Sequence, residues 1–188
     1  MDFQDDLRYR VNAGYPLIYV STRDVWRAIE VGKRVAARCE RDFYLWTASS
    51  GYFHCGKDNP EKPIQVGQGD GILDPGEASK LILGLNNSIV VLRNFHFYME
   101  DPEMIARFKD AVQVLKGREV TVVLISNVQK IPPELQDDVT LVDFTLPDRA
   151  MLAERVAYIK GVAAENGIVV PPVDDKEIVD AALGMTTS

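Results

Sequence analysis

With 188 residues the chain can bury one full core and hardly two, and its balance of 21 basic against 28 acidic side chains argues against a nucleic-acid backbone as the main partner. No stretch reaches the about 18 consecutive apolar residues of a membrane span, and Met1–Arg10 is acidic and polar rather than signal-like, so a cytoplasmic protein without membrane contact is expected. Cys39 and Cys55 stand alone without metal-ligand spacing and read as reduced structural thiols, and no residue set reads as a metal site.

Residues 1–12 carry several charges around Phe3, Leu7 and Tyr9, which fits a short amphipathic helix or an ordered arm. After Gly14-Tyr15-Pro16, the run Leu17-Ile18-Tyr19-Val20 reads as a first strand, and from Asp24 onward Val25, Ala28, Ile29, Val35, Ala36 and Cys39 follow helical spacing. Phe43–Thr47 reads as a second strand. Residues 48–74 hold many glycines, prolines and charges, and a hairpin insertion built from Tyr52-Phe53-His54 and Ile64-Gln65-Val66 is the expected content. Asp74-Pro75-Gly76-Glu77 and Asp101-Pro102-Glu103 both open helices, with Asp as cap and Pro in the first turn.

Ile89–Leu92 and Val120–Ile125 are apolar runs without alternation, the pattern of strands covered on both faces in a parallel sheet. Val139–Phe144 reads as a fifth strand, and a helix carrying Leu152, Val156, Ile159 and Ala163 follows Pro147-Asp148. The order predicts a three-layer α/β domain over residues 13–170 with a five-stranded, mainly parallel sheet. Residues 171–188 read as the start of a small helical lid. Because Thr186, Thr187 and Ser188 resemble an unused helix cap, the sequence is expected to be a piece of a longer chain.

Five βα units in this order have the layout of the nucleotide-binding core of P-loop ATPases, of RecA and AAA type. Four segments go further: Tyr15–Val20, Leu92-Arg93-Asn94-Phe95-His96 with Met99–Pro102, Ile131-Pro132-Pro133-Glu134-Leu135, and Phe144-Thr145-Leu146-Pro147-Asp148-Arg149. Together they resemble the N-terminal domain of the AAA-family ATPases encoded in cyanobacteria, plastids and many other bacteria. That resemblance implies a domain that has lost its phosphate loop, and an active AAA module beyond it that binds ATP with Mg²⁺ and hydrolyses it. It also implies contacts with that module and with neighbouring subunits of a ring-like oligomer, with a protein as the candidate substrate.

The residues bear on the implied loss directly. A phosphate loop needs Gly-x-x-x-x-Gly-Lys-Ser/Thr after the first strand, so that backbone N–H groups approach the phosphates and Lys reaches the terminal ones. The turn here reads Ser21-Thr22-Arg23-Asp24, without glycine and with a carboxylate that repels phosphate; Gly32-Lys33 lies inside the helix. The third strand delivers Arg93 and Asn94 where a Mg²⁺-binding acid is required. No catalytic residue and no cofactor are therefore expected in this fragment. If nucleotide binds at all, Thr22, Arg23, Asn94 and Asn127 are the residues that would hold it.

The leading expectation is a non-catalytic assembly or regulatory domain of a longer ATPase. The alternatives are an atypical nucleotide-binding ATPase domain active on its own, and a stand-alone interaction domain. His54 and His96 lack a nucleophile framed by a strand-turn-helix elbow, which argues against acyl transfer. Phe95, Phe97, Tyr98 and Met99 read as core packing, with a partner surface as the alternative.

Overall fold

Successive residues of a strand point to opposite faces, so a strand that is apolar at every position needs cover on both sides. The computed structural model, which describes residues 2–59, 61–69, 71–144, 148–168 and 173–183, shows that cover. In β1 (Leu17–Ser21), Leu17 and Tyr19 enter one core and Ile18 and Val20 the other. β5 (Ser88–Arg93) and β6 (Val120–Ser126) divide in the same way: Val90, Leu92, Val122 and Leu124 face one side, and Ile89, Val91, Val123 and Ile125 the other.

α1 (Phe3–Asn12) and α2 (Val25–Arg38) cover the second face. α3 (Pro75–Ile82) and α4 (Pro102–Gly117) cover the first. Both of the latter begin as the sequence predicts, with Asp74 accepting from the Glu77 N–H at 2.8 Å and Asp101 from the Glu103 N–H at 2.8 Å, each ahead of a proline in the first turn.

The sheet has seven strands rather than five, in the order β4-β3-β2-β5-β6-β1-β7. Its parallel part is β2 (Asp42–Thr47), β5, β6, β1 and β7 (Val139–Asp143), which are the five expected strands. The other two come from the insertion: β3 (Gly51–Cys55) pairs antiparallel with β2, and β4 (Ile64–Val66) with β3. The hairpin residues were legible. Their continuation of the main sheet was not, because nothing local tells a hairpin which edge it joins.

Two further expectations change. Of the two readings of the N-terminal segment, the helix holds and is more than a surface arm: Leu7 and Val11 of α1 are 1% and 0% exposed in the core beneath α2. Buried Arg41 donates to the Val11 carbonyl at 3.3 Å and the Glu119 carbonyl at 2.6 Å, tying α1 to the strand ends. The compact unit also ends at Phe144 instead of residue 170. The helix that the sequence assigned to the main domain, α5 (Arg149–Glu165), belongs with α6 (Asp175–Ala182) in a second unit. Within that unit, Arg149 pairs with Asp180 and Lys160 with Asp175. Apolar spacing marks a buried face without saying what buries it, so α5 could not be assigned from its pattern. The expected helix end and cap at residues 184–188 lie outside the described residues.

If α1 is part of the core, Leu7→Ala should lower the unfolding free energy by about 3 kcal/mol, the usual cost of truncating a buried leucine. Urea denaturation measures it, and a loss below about 0.5 kcal/mol, typical of surface positions, would return α1 to the status of an arm.

Candidate functional site

In an open parallel sheet the ligand crevice lies at the carboxyl ends of the strands where successive connections depart in opposite directions. Here that point lies between β1 and β6: β1 continues through α2 toward β2, whereas β6 continues to β7 on the far side of β1. Thr22 and Arg23 follow β1, Asn94 follows β5 and Asn127 follows β6, all at the carboxyl ends of their strands. The structure decides what each is free to do.

Only three residues, Thr22 to Asp24, separate β1 from α2. A phosphate loop is longer because it must wrap around its anion. The Thr22 N–H donates to the Ser126 carbonyl at 2.8 Å, which extends the β1–β6 pairing past the strand ends. The Asp24 N–H donates to Thr22 Oγ1 at 3.0 Å. The Asp24 side chain is fully buried and accepts from Arg27 Nε at 2.8 Å. Arg27 lies 4.2 Å over the ring of Phe144, which meets Phe3 edge-on at 4.4 Å. A buried carboxylate therefore lies at the start of α2, held by a cation one turn later and making no capping hydrogen bond to the helix.

The end of β5 is similarly engaged. Asn94 adopts a left-handed conformation with φ of 56°, and its N–H donates to the Ile125 carbonyl at 2.9 Å. Arg93 lays its guanidinium 4.5 Å over the exposed Trp26 ring, and its buried Nε has no acceptor among the described residues. Asp101, the nearby acid, is spent as the cap of α4. Asn127 is exposed, in a loop fixed by Tyr19, whose hydroxyl donates to the Val128 carbonyl at 2.5 Å.

One contact escaped the sequence. His96, in the 3₁₀ turn Phe95–Tyr98 after β5, places Nδ1 2.7 Å from Ser126 Oγ at the end of β6. Ser126 Oγ also accepts from the Val128 N–H at 3.1 Å. Burial, and then the Lys130 ammonium, pull the His96 pKa below its ordinary value. Ser126 is 1% exposed, so this pair offers no nucleophile to a substrate and instead fastens the turn to the strand. The partners are thirty residues apart, and only the β5–β6 pairing makes them neighbours.

A Mg²⁺-nucleotide needs free N–H groups, a lysine and an acid at one place. At this edge the N–H groups of Thr22, Asp24 and Asn94 are engaged within the protein, the turn carries arginine, and Asn94 replaces the acid. Gly32, from the Gly32-Lys33 pair, sits on the inner face of α2 opposite Phe43 and Val91, and Lys33 pairs with Glu61 at 3.5 Å. Among the described residues there is no group of three His, Cys, Asp or Glu that could hold a metal ion, and no helix long and apolar enough to cross a membrane.

Because burial and Lys130 lower the His96 pKa, the folded state binds its proton less readily than the unfolded chain. Its contribution to stability is complete above the unfolded pKa of 6.5 and is lost as pH falls through the lower folded value. His96→Asn keeps a polar partner for Ser126 and does not titrate there, so the variant should lose less stability than the parent between pH 7 and about 5. Urea midpoints across that range report the difference, and parallel curves would remove His96 from the account.

Residues 3–144 match the family described as SpoVK-like AAA ATPase, N-terminal domain. The chain is 29% identical over 151 residues to the uncharacterized AAA domain-containing protein ycf46 of Trieres chinensis, covering 78% of this chain and 29% of that protein. It is 25% identical over 190 residues to the ycf46 protein of Guillardia theta, covering 99% and 35%. The chain thus spans about a third of the length of the curated relatives it matches. Among solved structures, the HORMA:CdnC:Trip13 complex of E. coli MS115-1 superposes with a TM-score of 0.56 at 13% identity, over 98% of this chain and 74% of that one. The replication initiator DnaA bound to AMPPCP and single-stranded DNA gives 0.51 at 12% identity, over 96% and 54%. At such identities the likeness is one of fold alone, an α/β fold shared with AAA and P-loop ATPases. With the family match covering most of its length, this chain belongs to the N-terminal domains of SpoVK-like AAA ATPases.

Proposed function

We propose that this domain is a non-catalytic assembly or regulatory unit of a longer AAA ATPase. ATP binding with Mg²⁺ and hydrolysis would reside in a module outside these 188 residues. The observation that carries the reading is the three-residue, glycine-free turn after β1, whose Asp24 is buried and bonded to Arg27. The engaged N–H groups and the absence of an acid at the end of β5 support it independently. In this reading the degenerate core keeps the shape of an ATPase domain and uses it for contacts: with its own C-terminal AAA module, with neighbouring subunits of a cytoplasmic oligomer, and with a protein substrate.

Calorimetric titration of the 188-residue chain with ATP and ADP, with and without Mg²⁺, tests the reading. No heat of binding is expected at about 1 mM ligand, which bounds any binding free energy at about −4 kcal/mol. Asp24→Ala removes the carboxylate without supplying a longer loop. It should lower stability by about 3 kcal/mol through the loss of a buried ion-pair partner, and still bind no nucleotide. Micromolar binding by the parent chain, weakened by Arg23→Ala or Asn127→Ala, would overturn the proposal in favour of an ATPase domain active on its own.

A further inference from the structure

The closed edge carries more apolar surface than its closure requires. Trp26 is 48% exposed, Phe97 69% and Val128 48%, and all three belong to segments that emerge from the carboxyl ends of β1, β5 and β6. Phe97 is the residue of its aromatic segment that leaves the core, since Phe95 and Met99 are buried. Alongside runs a groove of about 420 Å³ between the 3₁₀ turn, α4 and the loop after β6. Met99, Ile105, Ile131, Pro132 and Pro133 line it, together with the Lys130 to Glu100 ion pair at 2.6 Å and the exposed Glu134, so the groove itself suits the apolar anchor and not the carboxylates. This is room for one or two large apolar side chains, and it gives Ile131-Pro132-Pro133 a use that the fold alone does not demand.

The charges around this strip are selective. Arg27 is matched by Asp24 and Lys130 by Glu100. Arg23 and Arg93 have no carboxylate partner among the described residues, although the chain as a whole has acidic residues in excess. Arg93 Nε–H is buried without an acceptor, and stacking on Trp26 holds the guanidinium in place before any partner arrives. Trp and Arg are the residues from which protein interfaces draw most of their energy. A small anion would satisfy the arginines and leave the apolar strip in water. An apolar peptide would do the reverse.

We propose that the carboxyl edge is a docking surface for an acidic protein segment bearing a large apolar anchor, with carboxylates received by Arg23 and Arg93 and the anchor by the exposed apolar side chains of the same edge and the groove after β6. The proposal rests on the non-catalytic reading of the same edge and gives it a ligand chemistry. Trp26, Phe97 and Arg23 are exposed, so their substitution leaves the core intact, as matching urea midpoints will verify.

The probe is a displayed library of random linear peptides, selected on the 188-residue chain and followed by fluorescence titration of the enriched sequence. Enriched peptides should combine Asp or Glu with a large apolar residue and bind more weakly as salt rises. Affinity should fall about tenfold with Trp26→Ala, Phe97→Ala or Arg23→Glu, in line with truncation at an interface hot spot, and hold with Ile64→Ala on the distant edge strand β4. Peptides without acids, or binding indifferent to Trp26→Ala and Phe97→Ala, overturn the surface. If in addition ATP gives no heat, the non-catalytic reading stands without it. Displacement of the peptide by about 1 mM Mg-ATP, the same ceiling used for direct titration, overturns both.

Discussion

Three adjacent strands of this protein, β5, β6 and β1, have no polar face to give to water, and every larger feature follows from that constraint. Burying both sides of a strand requires helices on both sides, and parallel neighbours require crossovers that return the chain to the same starting edge. The result is an amino edge where strands begin and a carboxyl edge where all the parallel connections depart. β6 bears the most of this: all seven of its residues are buried, and it pairs with β5 and β1 along its length. Because Ser126 ends that strand, its carbonyl and hydroxyl serve as fixed points for Thr22 on one side and His96 on the other.

The carboxyl edge is where a fold of this class commonly binds ligands, and here a buried carboxylate, Asp24, lies at the start of α2. A helix start favours negative charge through the partial positive charge of its N–H groups, whether the charge is a phosphate or a side chain. Asp24 brings that charge covalently, and Arg27 one turn later provides the counter-ion in a place closed to solvent. The short turn and the buried carboxylate go together, since the three residues between β1 and α2 bring Asp24 within reach of Arg27. Phe144 and Phe3 then close over Arg27, so that the first helix and the last strand of the unit are both attached to the closed turn. Accessible at this edge are Trp26, Phe97, Val128, Arg23 and Asn127.

Much of this was legible in the chain before any coordinates. Apolar runs such as Val120–Ile125, the two Asp-Pro helix openings and the glycine-free turn after Val20 are local signals with local physical causes, and they set the fold class, the helix starts and the missing loop motif. Contacts between distant residues were not legible. Ser126 and His96 gave no spacing signal, Arg93 showed no sign of lying on Trp26, and the destination of Phe97 was open between core and surface. The sequence by itself determined which segments are strands and helices and that a phosphate loop is lacking, because both are written in short-range pattern and stereochemistry. Only the tertiary structure decided that β3 and β4 extend the sheet, that α1 belongs to the core, that the unit ends at Phe144, and that Asp24 is buried against Arg27. Each of those depends on which distant surfaces meet, and the free energy of burial is indifferent to separation along the chain.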